Sequence, residues 1–566
     1  MPSLRHFAVI FVVLLIITAA DFVYLGAPRV GIDDANIFLN YARHIANGDG
    51  FVFNTGGERV EGSSSMLWVL IESLFFLVSP KPELLIMTVL FLFTVLTVAL
   101  MYEEVRHDVM ALNESFGRTY FPWVFGAFVV SLAPNFLAWS VLSLMENGFW
   151  TLVLLSNVLL ILRLYRVGVL ARGQKVCLLL AGAALVLTRP EGFAWGPLLA
   201  IALGLAEWRS IRRLRFALLY FAVLAGTATS LVLLRLDYFG YPLPNTYYAK
   251  VSTDAVDNLK AGGRYALKFL TVFHPVVSLA FAVLLIATLR ACVQFGVTAR
   301  LHEAFPERNP VVRIVVVFLV IGIGISLPLV SGGDHFGGYR FYQNILMLFC
   351  WSIPATLWLV QRRPSACRIE RALSLPTALF LSVALISVGT LLTIARPDHT
   401  EFVNEFRIAS SNRRAADEMN RFWPEPRPSI GVLAAGGFGY VYQGETVDLM
   451  GLNNTLMGHS KGARVGIKNH AAFDKDVFYK LMPDVIVPRF VSGKTEATGL
   501  YFAKLNKGDF ENIALKSILN DPQFQRVYHP VLFVRSGFPS IFAFTSDEYL
   551  AKARKDPGVT ILLLGS

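Results

Sequence analysis

The chain has 566 residues, of which 55% are hydrophobic and 16% are charged, and its mean hydropathy is +0.54. These values exclude an ordinary soluble globular protein and indicate a protein that lives in a lipid bilayer. The formal net charge of +11 does not indicate nucleic-acid binding, because most arginines stand in short loops between apolar runs, where they set membrane topology.

Apolar runs recur from residue 7 to residue 392, and a stretch of soluble composition follows them. We therefore predict a membrane domain at residues 1–395 and a soluble domain at residues 396–566. The first run has no small-residue cleavage site after it, so we interpret it as an uncleaved helix. We predict about eleven membrane-spanning helices, near residues 5–26, 83–102, 121–134, 147–165, 175–188, 193–207, 216–236, 267–289, 312–330, 342–360 and 374–395.

Loop charge predicts the orientation of these helices. One class of loops is rich in arginine and should be cytoplasmic, whereas the other is rich in Gly, Pro, Asn and acidic residues and should face outward. This places the N-terminus in the cytoplasm and the C-terminal domain in the periplasm. Two segments strain the topology. Residues 64–79 are too short for a crossing, so we assign them to an interfacial or re-entrant helix, and the predicted cytoplasmic loop 102–120 is acidic.

The first outer loop, residues 28–82, carries two adjacent carboxylates. Asp33 and Asp34 come a few residues after the first helix. A carboxylate at the membrane surface can accept the proton of a hydroxyl group as that hydroxyl attacks an anomeric carbon. The alternative is a solvated acidic turn or the start of a helix. The two residues are therefore candidate catalytic groups.

Further polar residues fall on the same predicted face, at the ends of other spans. Ionisable residues beside hydrocarbon are costly unless they are paired or functional. Cationic side chains could clamp a phosphate group while carboxylates handle hydroxyl groups; the alternative is ion pairing that only fixes the loops. The candidates for binding the donor phosphate or sugar are Glu146, Arg189, Glu191, Asn245, Tyr247, Lys250, Asp334, His335 and Arg340.

The soluble region alternates strand-like and helical patterns, which predicts an α/β domain. The predicted strands are residues 429–435, 485–488, 531–534 and 541–544, and the predicted helix is residues 405–422. Three glycines, at 436, 437 and 439, do not have the spacing of a dinucleotide-binding loop, so a tight turn is favoured. His459 and His470 are weak candidates for acceptor binding, with a solvated loop as the alternative.

Eight motifs occur in a fixed order between residues 30 and 490: DDANIFLNYARHIANGDGFVFN, ERVEGSSSMLW, SLMENGFW, LTRPEG, LPNTYYAK, GGDHFGGYRF, DLMGL and MPDVIV. With them the chain resembles the GT-C fold lipid-dependent glycosyltransferases that are related to the mycobacterial terminal arabinofuranosyltransferase and to the pilin-modifying arabinofuranosyltransferases. It departs from their pattern at Leu144 and Asn147, because the motif around Glu146 usually reads Gly-Met-Glu-Thr, and at His335, where an aromatic residue often follows the Gly-Asp pair.

The resemblance implies a polyprenyl phosphate sugar as donor, a catalytic acid in the first outer loop and a periplasmic domain that helps to bind the acceptor. The catalytic role then falls on Asp33 or Asp34, and we favour Asp33. Arabinofuranose is the first choice of sugar, with mannose or another hexose next. The acceptor is a cell-envelope glycan or a surface protein such as a pilin. No metal is required in principle, and the stereochemical outcome is open.

The predicted location is the bacterial cytoplasmic membrane, where a monomer would contact membrane lipids and the lipid-linked donor. A polytopic transporter or flippase is the main rival class, since about a dozen spans suit many carriers. A transporter would carry ionisable residues near the middle of the membrane in two matching halves, and neither pattern occurs in the sequence. A non-catalytic flippase partner or assembly scaffold is a third class, and such a protein would tolerate the loss of Asp33 and Asp34, whereas an enzyme would not.

Overall fold

The computed structural model of the chain describes residues 4–207, 211–251, 254–297, 310–361, 397–462, 472–491, 493–506 and 509–564. Its α-helices are α1 Leu4–Tyr24, α2 Asp33–Asn47, α3 Met66–Phe76, α4 Glu83–Leu112, α5 Glu114–Thr119, α6 Phe121–Leu137, α7 Asn147–Val167, α8 Arg172–Thr188, α9 Gly192–Glu207, α10 Ile211–Phe239, α11 Asn245–Lys250, α12 Ala255–Lys268, α13 Pro275–Val297, α14 Pro310–Ser331, α15 Gln343–Leu346, α16 Ser352–Gln361, α17 Pro397–Phe422, α18 Ala435–Val441, α19 Thr455–Gly458, α20 Lys475–Leu481, α21 Lys494–Leu505, α22 Phe510–Ala514, α23 Pro522–Val527 and α24 Asp547–Ala553.

Short π-helical segments extend two of these helices, at Ala138–Leu142 and Phe269–Phe273, and 3-10 turns lie at Arg340–Tyr342, Met347–Trp351 and Ile518–Asn520. The strands are β1 Ile430–Val432, β2 Thr446–Asp448, β3 Val485–Ile486, β4 Tyr528–Val534, β5 Ile541–Ser546 and β6 Thr560–Leu563.

Eight helical stretches in the described part of the chain are long and apolar enough to cross a membrane. They are Leu4–Tyr24, Glu83–Leu112, Phe121–Leu142, Asn147–Val167, Leu214–Phe239, Pro275–Gln294, Pro310–Ser331 and Arg340–Val360. A helix satisfies its own backbone hydrogen bonds, which is the requirement for a spanning segment in hydrocarbon. A polytopic helical membrane protein is therefore confirmed.

Three of the predicted spans have no counterpart among these eight. At the two short predicted spans, 175–188 and 193–207, the structure has α8 with 17 residues and α9 with 16. The predicted span at 374–395 lies outside the described residues, so the count of about eleven stays a prediction. The segment 64–79 forms the helix α3, which has only 11 residues; at about 1.5 Å per residue this is well short of a crossing.

Two acidic residues of the predicted cytoplasmic loop 102–120, Glu104 and Asp108, are partners of arginines from other helices. Arg313 of α14 pairs with Asp108 and, at 2.9 Å, with Glu104, both at the end of α4. Arg166 of α7 donates to Glu104 at 3.1 Å, and the indole of Trp351 donates to Asp108 at 2.8 Å. Glu104 and Asp108 are thus neutralised within the protein, and the charge-based topology stays a prediction.

The described residues fold into two compact units. The first takes residues from Met1–Arg29, Leu84–Leu231 and Asp254–Val403, and the second from Val30–Glu83, Val232–Thr253 and Asn404–Ser566. The first outer loop, which the sequence analysis assigns to the membrane domain, therefore groups with the C-terminal segment. The predicted boundary at residue 395 and the periplasmic location stay predictions.

The second unit contains a six-stranded mixed sheet with the order β2-β1-β3-β5-β4-β6. Strand β1 runs parallel to β2 and β3, and β5 is antiparallel to β3 and β4. The core beside it includes the stacked rings of Phe524 and Tyr528, with centroids 4.9 Å apart, together with Phe478 and Phe544. The predicted C-terminal α/β domain is therefore confirmed.

Candidate functional site

Asp33 begins α2 and is almost completely buried, with an exposed fraction of 8%. Its carboxylate accepts hydrogen bonds from the backbone N–H groups of Gly436 and Gly437, at 3.0 and 2.9 Å, and from the amide of Asn412 at 3.3 Å. Burial raises the pKa of Asp33, and the two backbone hydrogen bonds act in the opposite direction. The side chain joins the first outer loop to the sheet region of the same unit.

The three glycines at 436, 437 and 439 lie in the helix α18 and do not form the tight turn that their sequence favours. A Cβ atom on Gly436 would lie 1.9 Å from the backbone oxygen of Asp33, and one on Gly439 would lie 2.5 Å from the ring of Phe53. The turn prediction was wrong because the glycines allow close approach of α2 and its following loop to α18. No sequence pattern reveals a contact of this kind.

Asp34, the other member of the acidic pair, is more accessible. Its carboxylate lies 3.3 Å from the ammonium nitrogen of Lys250, and each of the two side chains is about one-fifth exposed. The pair places a carboxylate and a cation side by side at the first turn of α2. The structure thus brings together two of the residues that the sequence analysis selected from different motifs.

The helix α11 holds Lys250 at its last position. Asn245, its first residue, donates its side-chain amide hydrogens to the carbonyl oxygens of Gly451 and Leu452, both at 2.8 Å. Its backbone N–H donates to the carbonyl oxygen of Glu61 at 3.0 Å. The amide nitrogen of Asn245 is therefore engaged in positioning α11. Tyr247 is 44% exposed on the same helix.

A buried ion pair that the sequence analysis missed supports the same region. Arg235 near the end of α10 forms two hydrogen bonds of 2.8 Å with the carboxylate of Glu61. Burial raises the pKa of Glu61, while Arg235 acts to lower it. Glu61 belongs to the ERVEGSSSMLW motif, and its position in that motif was the only sequence signal that could have marked it as a site residue.

His459 lies between two tyrosine rings. Its ring centroid is 3.8 Å from that of Tyr241 and 4.0 Å from that of Tyr248. The other predicted acceptor-binding histidine, His470, lies outside the described residues. Acceptor binding by either residue stays a prediction.

The first unit contains a second polar cluster, around Arg189. The guanidinium group of Arg189 contacts Glu191 at 2.8 and 3.1 Å and also pairs with Glu146. Arg189 is 6% exposed and Glu146 is fully buried. Burial acts to raise the pKa of Glu191, but the interactions with Arg189 outweigh it and hold that pKa below the usual value of 4.5.

Arg340 belongs to the same cluster and pairs with Asp334 at 2.6 Å. The ring of His335 also reaches Asp334, with a nitrogen–oxygen distance of 3.3 Å. The guanidinium carbon of Arg340 lies 4.4 Å from the centroid of the Phe336 ring and 5.2 Å from that of Phe341, while that of Arg189 lies 5.5 Å from the centroid of Phe341. Phe341 therefore contacts both arginines.

Arg189, Glu191 and Arg340 line one small cavity together with Asn147 and Asn344. Its volume of about 20 Å³ suits a single water molecule. The cluster as a whole has two guanidinium groups and three carboxylates, so each cation already faces an anion. A phosphate group could bind here only if the arginines exchanged partners.

The predicted site residues thus form two groups, each within one unit. The second unit holds Asp33, Asp34, Asn245, Tyr247, Lys250 and His459, and the first holds Glu146, Arg189, Glu191, Asp334, His335 and Arg340. Within the ranges that the structure describes, no group of three or more His, Cys, Asp or Glu side chains could hold a metal ion.

The fold is that of a multi-pass helical membrane protein with an α/β domain, and several solved structures are similar to it. The chain is similar to the oligosaccharyltransferase of Archaeoglobus fulgidus crystallised with a tethered acceptor peptide: the TM-score is 0.45, the identity is 13%, and the match covers 99% of this chain and 75% of that chain.

A second similar structure is ArnT from Cupriavidus metallidurans bound to undecaprenyl phosphate, with a TM-score of 0.48, 13% identity and coverage of 87% of this chain and 96% of that chain. A third is AglB from Archaeoglobus fulgidus with an inhibitory peptide and a dolichol-phosphate, with a TM-score of 0.43, 12% identity and coverage of 99% and 76%. No protein-family model and no curated protein matches the sequence.

Proposed function

We propose that the chain is a membrane glycosyltransferase that moves a sugar from a polyprenyl phosphate donor to a glycan or protein acceptor on the periplasmic face. By sequence resemblance the sugar is arabinofuranose, with a mannosyl or other hexosyl donor as the next choice. The observation that carries the proposal is the accessible pair of Asp34 and Lys250. It supplies the two charges that transfer from a phosphate donor requires.

The reaction is a displacement at the anomeric carbon. The oxygen of an acceptor hydroxyl forms a bond to that carbon, and the bond from the carbon to the phosphate oxygen breaks with its electron pair. The carboxylate of Asp34 takes the hydroxyl proton, while the ammonium group of Lys250 stabilises the charge on the departing polyprenyl phosphate. When donor binds, Lys250 turns from Asp34 to the phosphate, which leaves the carboxylate as the base.

We assign the base to Asp34, although the sequence analysis favours Asp33. Asp33 accepts three hydrogen bonds and is almost fully buried, so its carboxylate is poorly placed to receive a proton from an acceptor. Its proposed role is positioning: it fixes the first turn of α2 and thereby the direction of the Asp34 side chain.

For Arg189 and Arg340 we propose binding of the donor phosphate or sugar, as the sequence analysis predicts. Once they exchange their carboxylate partners, both can form bidentate contacts with phosphate oxygens. Glu146, Glu191 and Asp334 then hold the arginines in place until donor arrives. We propose a lipid-linked donor because the reaction is placed on the periplasmic face. Nucleotide sugars are confined to the cytoplasm, so a sugar donor on that face must arrive on a lipid.

The decisive experiment measures sugar release from a labelled donor by variants of Asp34 and Lys250. Protein purified in detergent is given radiolabelled polyprenyl phosphoryl arabinofuranose, and release or transfer of the sugar is followed for the parent, Asp34→Asn and Lys250→Gln. Loss of a general base lowers turnover by about 10²- to 10⁴-fold, so we expect at least a hundredfold loss for Asp34→Asn. Asp476→Asn, an exposed aspartate in the same unit, is the matched control and should keep the parent rate.

Donor binding and thermal stability must be retained in Asp34→Asn for the loss to report catalysis. Adding EDTA to the parent tests for a metal requirement. The proposal fails if the parent releases sugar neither from this donor nor from polyprenyl phosphoryl mannose, or if Asp34→Asn turns over at the parent rate. Movement of intact donor across vesicle membranes would then favour a flippase.

A further inference from the structure

The second unit contains a large polar cleft that the proposed reaction does not use. It lies between the C-terminal end of α2 with the loop that follows it and the segment that leads from α18 into β2. Its volume is about 740 Å³, within the range of sites that bind small ligands. The lining includes Arg43, Asn47, Asn54, Thr55, Gln443 and Glu445.

Hydrogen bonds hold the walls of the cleft in place. The side chain of Asn54 accepts from the backbone N–H of Thr446 at 2.9 Å and donates to its carbonyl oxygen at 3.0 Å, so the loop covers the edge strand β2. Asn40 of α2 donates to the carbonyl of Phe53 at 2.7 Å. The cleft is therefore formed before any ligand arrives, which lowers the cost of binding.

The exposed side chains of the lining suit a neutral ligand with many hydroxyl groups. Asn47 and Gln443 offer amides, Thr55 a hydroxyl and Glu445 a carboxylate, which together can donate to and accept from neighbouring hydroxyls.

Among the described residues that line the cleft, Arg43 is the only arginine or lysine. Its guanidinium group already donates to the carbonyl of Tyr440 at 2.6 Å and to Asn40 at 2.8 Å. Three carboxylates, Asp49, Glu58 and Glu445, also line the cleft. An anionic ligand such as a phosphate is therefore disfavoured.

The helix α2 sets the distance between the cleft and the proposed base. Asp34 lies in its first turn and Asn47 is its last residue, thirteen positions later. At a rise of about 1.5 Å per residue the two ends are about 20 Å apart. This is the length of several sugar units.

We propose that the cleft is a remote acceptor subsite for a neutral oligosaccharide, and that it binds the glycan several sugar units away from the hydroxyl that reacts at Asp34. The inference rests on the proposed glycosyl transfer and narrows its acceptor from a glycan or protein to a glycan chain. A short acceptor would reach Asp34 without filling the cleft, whereas a long acceptor would fill both.

The test compares acceptors of two lengths in the full-length protein. With radiolabelled polyprenyl phosphoryl arabinofuranose as donor, KM and kcat are measured for a methyl arabinofuranoside and for an arabinan hexasaccharide. The parent should show a lower KM for the hexasaccharide. In the variant with both Asn47→Ala and Gln443→Ala, the loss of two hydrogen bonds should raise that KM about tenfold. In the double variant, the kcat, the KM for the monosaccharide and the rate of donor hydrolysis should not change. Gln523→Ala alters an exposed residue outside the cleft and serves as the control, with the same KM for the hexasaccharide as the parent.

Direct binding separates the failure of this inference from the failure of the proposed function. Calorimetry with arabinan and mannan hexasaccharides measures acceptor binding without turnover, and its difference between the parent and the double variant reports the cleft. Donor hydrolysis without acceptor measures the transferase alone. If neither hexasaccharide binds while donor hydrolysis is intact, or if the double variant binds them as the parent does, the subsite is overturned. If the parent binds a hexasaccharide and the double variant does not, while the parent never cleaves donor, the cleft is an oligosaccharide-binding site and the proposed transferase function fails. Competition by a pilin-like peptide in place of the glycan would also overturn the subsite.

Discussion

At the scale of single residues, the buried arginine side chains described above are paired with carboxylates. Arg189 illustrates this, because it contacts two carboxylates and one aromatic ring while being almost fully buried. Burying a charge is costly unless it is paired and hydrogen-bonded. The pairing keeps a cationic group in a low-dielectric setting, where its interaction with an incoming phosphate would also be strong.

The pKa of Glu191 gives this pairing a testable pH dependence. Because its folded-state pKa lies below 4.5, the ionised carboxylate stabilises the fold above that pH, and the contribution is lost as the pH falls through the folded-state pKa. We expect Glu191→Gln to lower the unfolding free energy by about 2 kcal/mol near neutral pH, and by progressively less below about pH 4.5.

Thermal unfolding of the two proteins in detergent, from about pH 7 to about pH 3.5, measures this difference. Glu418→Gln is the control, because Glu418 forms an exposed pair with Arg414 at 3.9 Å that should contribute little. A deficit in Glu191→Gln that stays constant across the whole range would contradict the assignment.

At the scale of elements, the packing of α2 against α18 determines the position of Asp33 and Asp34. The contact needs a glycine at 436, since a Cβ there would overlap the backbone of Asp33. It also needs the two N–H groups that the first turn of α18 directs at the Asp33 carboxylate. The position of the proposed base, Asp34, follows directly from this packing.

The variant Gly436→Ala tests this packing. The added methyl group must push α18 away from α2, which should lower the unfolding free energy by about 1–3 kcal/mol or more and reduce sugar release because Asp34 is displaced. Gly499→Ala in α21 is the control, since a Cβ at Gly499 meets no atom within 4 Å and should be neutral or slightly stabilising. Equal melting temperatures and equal rates for both variants would show that α18 does not set the position of α2.

At the scale of the whole molecule, the charge-based topology rests on the short helix α3. If α3 crossed the membrane, every loop after it would change sides. Its 11 residues are too few for a crossing, and the acidic end of α4 is neutralised by Arg166 and Arg313. Both observations agree with the predicted cytoplasmic N-terminus. The predicted outer location of the C-terminal domain also depends on the span at 374–395, which lies outside the described residues.

Cysteine labelling of spheroplasts tests this orientation. In a background in which all four cysteines are replaced by serine, Arg172→Cys and Glu496→Cys each introduce one exposed site. We expect a membrane-impermeant maleimide to label Glu496→Cys in intact spheroplasts and Arg172→Cys only after permeabilisation. The reverse pattern would mean that an odd number of additional segments, with α3 the first candidate, crosses the bilayer before residue 172.

The sequence by itself determined the membrane class, the approximate positions of the eight helices in the described part of the chain that are long and apolar enough to span, and the α/β character of the C-terminal domain. Hydropathy and periodicity are local properties, so a window of about twenty residues suffices to recognise a span. Short strands such as β2 and β6 escaped prediction because three or four residues give little periodicity.

Only the tertiary structure decided which polar residues meet. Asp33 is 403 positions from Gly436, Asp34 is 216 from Lys250, and Arg235 is 174 from Glu61. No local pattern encodes such pairings, because they depend on how separate helices and loops pack. For the same reason the sequence selected Asp33 and Asp34 together as candidates, whereas burial distinguished a carboxylate that holds two elements together from one that remains accessible to a substrate.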